Sequence, residues 1–131
     1  MEIRTIIAAG MLAFAATATA QTETKNRTTM EKLNLTQEWD KTFPQSDKVE
    51  HTKVTFTNRY GITLAADMYM PKNSEGRLPA IAVSGPFGAV KEQASGLYAQ
   101  TLAERGFLAI AFDPSFTGES GGQPRFVTSP D

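Results

Sequence analysis

Among the 131 residues there is one histidine, no cysteine, and a serine set between glycines at the spacing Gly118-Glu119-Ser120-Gly121-Gly122. This matches Gly-x-Ser-x-Gly, the pattern in which a sharp turn between a strand and a helix lifts a serine oxygen clear of the backbone for nucleophilic attack. The chemistry needs that context as well as the pattern. Residues 113–117 separate the preceding apolar run from Gly118, and Gln123-Pro124 stands where a helix has to begin, so Ser120 is read as a decoy. A general base must lie within hydrogen-bond reach of its nucleophile. His51 falls at the start of an outer strand, far in topology from Ser120, and a solvated or capping role is expected for it. Asp113 closes an apolar run, and its carboxylate is expected to accept backbone amides of the turn at residues 114–118. No credible set of nucleophile, acid and base is therefore expected in this chain.

The elements that would position such chemistry lie in residues 78–122. Ala80-Ile81-Ala82-Val83 and residues 107–112 are short, uninterrupted apolar runs, the mark of strands buried on both faces of a parallel sheet. Parallel strands need a crossover, and Ala94, Leu97, Tyr98, Thr101 and Leu102 fall on one stripe of a helix over residues 91–105, with Lys91, Glu92, Gln93, Gln100 and Glu104 left for its wet side. Gly106 ends that helix, because glycine tolerates the left-handed conformation required there. Upstream, Val54 and Phe56, then Ile62, Leu64, Ala66, Met68 and Met70, alternate with polar positions as two half-buried strands joined by Asn58-Arg59-Tyr60-Gly61. Leu35, Trp39 and Phe43, four apart, suggest a short helical arm with the tryptophan as its anchor.

Ligands meet a parallel sheet at the carboxyl ends of its strands, so the functional loops should be residues 84–90 and 113–122. Ser84-Gly85-Pro86-Phe87-Gly88 and the run from Phe112 to Gly122 resemble the N-terminal half of an α/β-hydrolase, closest to its dienelactone-hydrolase-like and Xaa-Pro-peptidase-like branches, in which a Gly-Pro-x-Gly loop is often followed by Lys-Glu-Gln, as Lys91-Glu92-Gln93 are here. The resemblance covers residues 49–131. It implies an α/β fold, the N-terminal half of an α/β-hydrolase, with an antiparallel opening hairpin and then the βαβ of a mostly parallel sheet. It also implies cleavage of an ester or amide through a serine-type acyl-enzyme, acting on a small acyl or peptide substrate, with the nucleophile elbow, the acid and its histidine placed after Asp131. In that family the first loop supplies a backbone amide to the oxyanion hole. Pro86 has no N–H to donate, so the Phe87 amide is the candidate, with Gly88 as its neighbour. Lys91-Glu92-Gln93 are read either as a solvated first turn or as residues holding this loop. The match of residues 118–122 to the surroundings of a trypsin-like nucleophile carries no weight, since such a barrel needs many antiparallel strands upstream. The alternative from another class is a non-catalytic chain, either a truncated product or a small binding module using an open sheet edge.

Composition adds bounds. With 40% hydrophobic residues, 21% charged and a formal net charge of −1, the chain is ordinary for a globular protein and has no basic footprint for nucleic acid. No cofactor or metal is expected, and without cysteine no thiolate zinc site or disulfide framework can form. Residues 1–20 read as a signal peptide: Arg4 gives a charged start, residues 6–16 an apolar core too short to span a bilayer, and Ala18-Thr19-Ala20 a cleavage site. The expected organisation is a signal peptide at 1–20, a polar leader with a short helical arm at 21–47, and a partial α/β-hydrolase domain at 48–131. The mature chain is expected to be secreted or periplasmic, with no stable membrane anchor. Mass spectrometry of the exported fraction is expected to find a chain beginning at Gln21; an intact Met1 there would overturn the assignment.

Overall fold

The computed structural model describes residues 31–125. The expected signal peptide, the first part of the leader and residues 126–131 lie outside the described residues. Four strands and one helix follow in the order β1 (Val49–Thr57), β2 (Thr63–Pro71), β3 (Ala80–Ser84), α1 (Ala94–Ala103) and β4 (Leu108–Phe112). They form one sheet in the spatial order β1-β2-β4-β3. The β1–β2 and β2–β4 pairs are antiparallel, and β3 runs parallel to β4 from Ala80 opposite Leu108 to Ser84 opposite Phe112. The hairpin between β1 and β2 closes on Asn58, whose side-chain oxygen accepts the amides of Tyr60 and Ile62, both at 3.0 Å, while Gly61 takes a φ of 78°. Both strands of the parallel pair stand where the apolar runs place them, but β3 is an edge strand with Ala80, Ala82 and Ser84 exposed instead of one buried on both faces, and Gly106 follows the helix with a φ of 98°.

The face of the helix differs from expectation. Ser95, Gly96, Ala99, Gln100 and Ala103 are its buried residues, whereas Leu97 is 47% exposed and Tyr98 62%. The cause is small-on-small packing: Ala99 and Ala103 lie in one cluster with Ala109 and Ala111 of β4, and short side chains on both partners let the helix axis come close to the sheet. Gly96 is needed for a different contact, since a β-carbon there would run into the Lys91 carbonyl oxygen of the preceding loop and press on the Phe43 ring of the arm. Gln100, expected on the wet side, is buried because its amide serves the N-terminal arm: Oε1 accepts the Ser46 amide and Nε2 donates to the Pro44 carbonyl, each at 3.1 Å.

That arm is not helical between residues 31 and 48; it is irregular, with bends at residue 38 and residues 42–43 and a turn at residues 47–48. Its backbone bonds outward, with the Thr42 amide donating to the Glu92 carbonyl at 3.0 Å. Trp39 is the anchor it was expected to be: its indole N–H donates to the Phe43 carbonyl at 2.8 Å, and its ring meets those of Phe43 and His51 edge-on. The hairpin alternation is also corrected. Ala65, Asp67 and Tyr69 of β2 are fully buried, and Tyr69 shares a cluster with Phe43, Ala99 and Ala103, so the positions read as wet face α1 and the arm. Leu64 and Ala66 on the opposite face are buried as well. A strand covered on both sides has no polar face, and its charged residues are accommodated only in pairs.

Gly96→Ala tests how closely the Lys91 carbonyl and the Phe43 ring pack on the helix start. An exposed Gly→Ala change within a helix gains about 1 kcal/mol, but here overpacking is expected to reverse the sign and destabilise by about 1–3 kcal/mol, read from urea unfolding. A stabilised variant would show that the Lys91 carbonyl and the Phe43 ring can give way.

Candidate functional site

The carboxyl ends of β3 and β4 present two loops, residues 85–93 leading into α1 and residues 113–122 following β4. Asp113 joins them. Fully buried at the end of β4, it accepts the Lys91 amide on Oδ1 at 2.8 Å, and on Oδ2 the Glu119 amide at 2.9 Å and the Lys91 ammonium at 3.1 Å. It does accept backbone amides, as expected, but from Lys91 and Glu119, not from the turn at 114–118. Gly118, at φ 52°, lies directly over the carboxylate, so closely that a β-carbon would overlap it.

Ser120 is 2% exposed, donating its hydroxyl to the Asp113 carbonyl at 2.7 Å and accepting the Ala65 amide at 2.8 Å. With the Gly121 amide on the Thr63 carbonyl and the Asp113 amide on that of Ala65, it stitches the second loop to β2. The glycines around it serve this close backbone contact, not the exposure of an oxygen. His51 is neither solvated nor a cap. Its Nε2 lies 2.7 Å from Asp67 Oδ1, and its ring is flanked by Trp39 and Tyr69. The antiparallel register sets His51 opposite Tyr69 and Lys53 opposite Asp67 on the covered face, and the arm closes over them. Neither residue is brought near the other as nucleophile and base.

Running beneath both loops is a ladder of charges absent from the sequence reading. Asp67 pairs with Lys41 at 3.1 Å, Lys41 with Asp40, Asp40 with Lys53 at 3.0 Å, Lys53 with Glu119 at 2.8 Å, and Glu119 with Lys91 at 2.8 Å, while Lys91 also holds Glu92 and Asp113. The side chains of Lys41, Asp67, Lys91 and Asp113 have no solvent contact. Lys91 and Glu92 are thus no solvated helix turn. The signal that could have found the ladder is charge at inward-facing strand positions, Lys53 and Asp67, with Asp113 where the next strand ends. Carboxylate oxygens of Asp40, Glu92 and Glu119 lie within 4.8 Å of one another, but Lys53 and Lys91 bond to the same groups, so the chain supplies the positive charge itself.

Burial raises a carboxyl, yet in Asp40 the bonds from Lys41 and Lys53 outweigh it and hold the group at about 2. In Glu119 burial is likewise outweighed, by Lys53 and Lys91, and that group also stands at about 2. Burial lowers a lysine, but Glu119, Glu92 and the charge of Asp113 leave Lys91 raised. The Tyr69 hydroxyl is pushed up by burial and then by Asp67, Glu92 and Asp40.

The Phe87 loop stands apart from this buried ladder. The Phe87 residue is 86% exposed, Gly88 has a φ of 77°, and the Ala89 amide closes a turn on the Pro86 carbonyl at 3.0 Å. Among the described residues no acceptor meets the Phe87 N–H. At the same end of the sheet lies a cavity of about 320 Å³ lined by Asn58, Arg59, Leu64, Ser84, Phe112, Pro114 and Ser115, where open sheets of this kind receive ligands. No helix among the described residues is long and apolar enough to cross a membrane.

A sheet ordered β1-β2-β4-β3 with one parallel pair, a helix crossing between its members and a glycine-bearing loop at the end of each is the N-terminal part of an α/β-hydrolase. The model of the X-Pro dipeptidyl-peptidase (S15) family matches residues 60–131, more than half of the chain, and the chain belongs to that family. It is 73% identical over 113 residues to the uncharacterized protein PA2218 of Pseudomonas aeruginosa, covering 86% of this chain and 30% of that one. The crystal structure of PA2218 superposes with a TM-score of 0.74 at 77% identity, over 76% of this chain and 32% of that one. An uncharacterized Escherichia coli protein, YcjY, is 50% identical over 84 residues, 61% of this chain and 28% of its own. The thiohydrolase aneE of Aspergillus aculeatus is 29% identical over 86 residues, 66% of this chain and 26% of its own. The chain therefore spans about 30% of the length of the curated relatives it matches.

The ladder sets a pH dependence. Asp40 and Glu119 have folded values below their ordinary 3.8 and 4.5, so the stability they contribute is present above about 4.5 and is lost as pH falls towards 2. Lys91, raised above 10.5, contributes fully below that value and loses its share only in stronger alkali. Urea midpoints are expected to fall steadily below about pH 4.5. An acid limb unchanged by Lys53→Met, which removes a partner of both Asp40 and Glu119, would show that these groups do not set it.

Proposed function

We propose that the chain is the N-terminal portion of a secreted α/β-hydrolase that cleaves ester or amide bonds of small acyl or peptide substrates through a serine-type acyl-enzyme, and that this portion alone does not turn over substrate. The observation that carries the reading is the Phe87 amide, which has no acceptor among the described residues and belongs to an exposed residue of a glycine-flanked loop at the carboxyl end of β3. An oxyanion hole needs backbone N–H groups aimed where negative charge develops, held beforehand so that little reorganisation is needed as the carbonyl is attacked. Pro86 leaves Phe87 as the first donor after Gly85, and the left-handed Gly88 turns the chain back immediately afterwards. The name of the Aspergillus relative, a thiohydrolase, favours acyl cleavage in general. Export rests on residues 1–20.

The test joins this chain to the remainder of PA2218 in place of that protein's matching segment, with p-nitrophenyl esters as substrate. Phe87→Pro, which removes the N–H, is expected to lower kcat by about 10²–10³-fold with KM changed far less. An unchanged kcat, or no ester turnover by the joined protein, would overturn the reading. The chain by itself is expected to give no turnover above buffer; activity abolished by Ser120→Ala would contradict both the inactivity and the structural role of that serine.

A further inference from the structure

Both ends of the Phe87 loop are referred to the same two residues. At its start Ser84 is paired with Phe112 in the parallel ladder. At its end the Lys91 amide is held by Asp113 Oδ1 at 2.8 Å. Six residues, 85–90, therefore hang from adjacent positions at the end of β4, and inside them the Ala89–Pro86 turn and the Val90 amide on Gln93 Oε1 at 3.3 Å remove further freedom. The direction of the Phe87 N–H is set relative to β4 by this suspension. Asp113 Oδ2 in turn takes the Glu119 amide and the Lys91 ammonium, so one carboxylate holds three donors from two loops. It is fixed from above by Gly118.

We propose that Asp113 is the positioning residue of the oxyanion-hole loop: with Lys91 as its partner it fixes where the Phe87 amide points, without itself touching substrate. The inference rests on the reading of Phe87 as the oxyanion donor. Its chemistry is specific to a carboxylate. Asparagine has the same shape, but whichever way its amide is turned, an NH2 group faces at least one of the three donors. The loop would then lose a charge-assisted bond while the fold keeps its packing.

Two measurements separate positioning from general support. Amide hydrogen exchange on the whole 131-residue chain is expected to show Asp113→Asn speeding exchange at Ala89, Val90 and Lys91 by about tenfold or more, the equivalent of one bond to a charged group. Asp67→Asn removes an equally buried carboxylate of the same ladder, one bonded to His51 and Lys41, and should leave those three amides at the native rate. In the protein joined to PA2218, Asp113→Asn is expected to lower kcat by about 10–100-fold, the cost of a misplaced donor, with KM within about twofold and Asp67→Asn leaving kcat unchanged. Exchange at the three amides unaltered by Asp113→Asn, or raised equally by Asp67→Asn, would overturn the proposal. If Phe87→Pro leaves kcat intact, the oxyanion reading falls, while the exchange rates still decide on their own whether Asp113 holds the loop.

Discussion

Lys91 and Asp113 carry opposite charges in a place with no solvent contact, and removing two ions from water costs several kcal/mol each before any attraction is counted. That cost is offset only where geometry is good and the remaining donors and acceptors are satisfied. Here they are: the carboxylate takes two backbone amides besides the ammonium, and the ammonium takes Glu92 and Glu119 besides Asp113. The bonds are directional, and their partners come from the loop before α1 and the loop after β4. An apolar cluster in the same volume would hold the two loops together but not in register. The pairing therefore contributes placement more than net stability, and the placed segments are those at the carboxyl edge of the parallel pair.

The rest of the ladder extends this placement to the outer strands and the arm. Lys53 of β1 reaches Glu119, and Lys41 of the arm reaches Asp67 of β2. The irregular arm would otherwise be a poor candidate for order, since it makes no helix and pairs in no sheet. It is fixed by Trp39 and Phe43 on the apolar side and by Asp40 and Lys41 on the charged side. Tyr69 and His51 lie at the junction of the two, their rings 5.1 Å apart.

What was legible in the sequence was whatever depends on local pattern. The apolar runs became β3 and β4, Gly106 ended the helix, and Asn58 to Gly61 closed the hairpin, because each is decided within a few residues. The buried helix face was not legible, since periodicity ranks large apolar residues as core, whereas a close approach of α1 to Ala109 and Ala111 favours small ones. Leu97 and Tyr98 lost to Ala99 and Ala103 on size, not on hydrophobicity. The charge ladder was hidden for a similar reason. Lys91 and Gln100 read as wet from their type, and only the positions of Asp113, Glu119 and the arm, each more than 20 residues from Lys91 in the chain, make burial tolerable. Of the candidate site, the position of the loop at the end of β3 is readable from the sequence, while the carboxylate that holds it passes for a local turn former.

Ser120 makes the difference between pattern and geometry concrete. A nucleophile needs an oxygen with a free approach and a base beside it, and the serine here has neither, because its hydroxyl donates to the Asp113 carbonyl just after β4 and accepts from the Ala65 amide of β2. The glycines that make the segment look like an elbow are explained by what lies against them. Gly118 has no room for a β-carbon over Asp113, and Gly121 comes close to the Thr63 carbonyl. The same sequence run thus holds the end of the Phe87 loop, through Asp113 and the Lys91 amide, and keeps Ser120 buried. An oxyanion donor has to be held before the charge appears; on the reading proposed for Phe87, the bonds that tie the residues after β4 to β2 and to Lys91 are what would supply that rigidity.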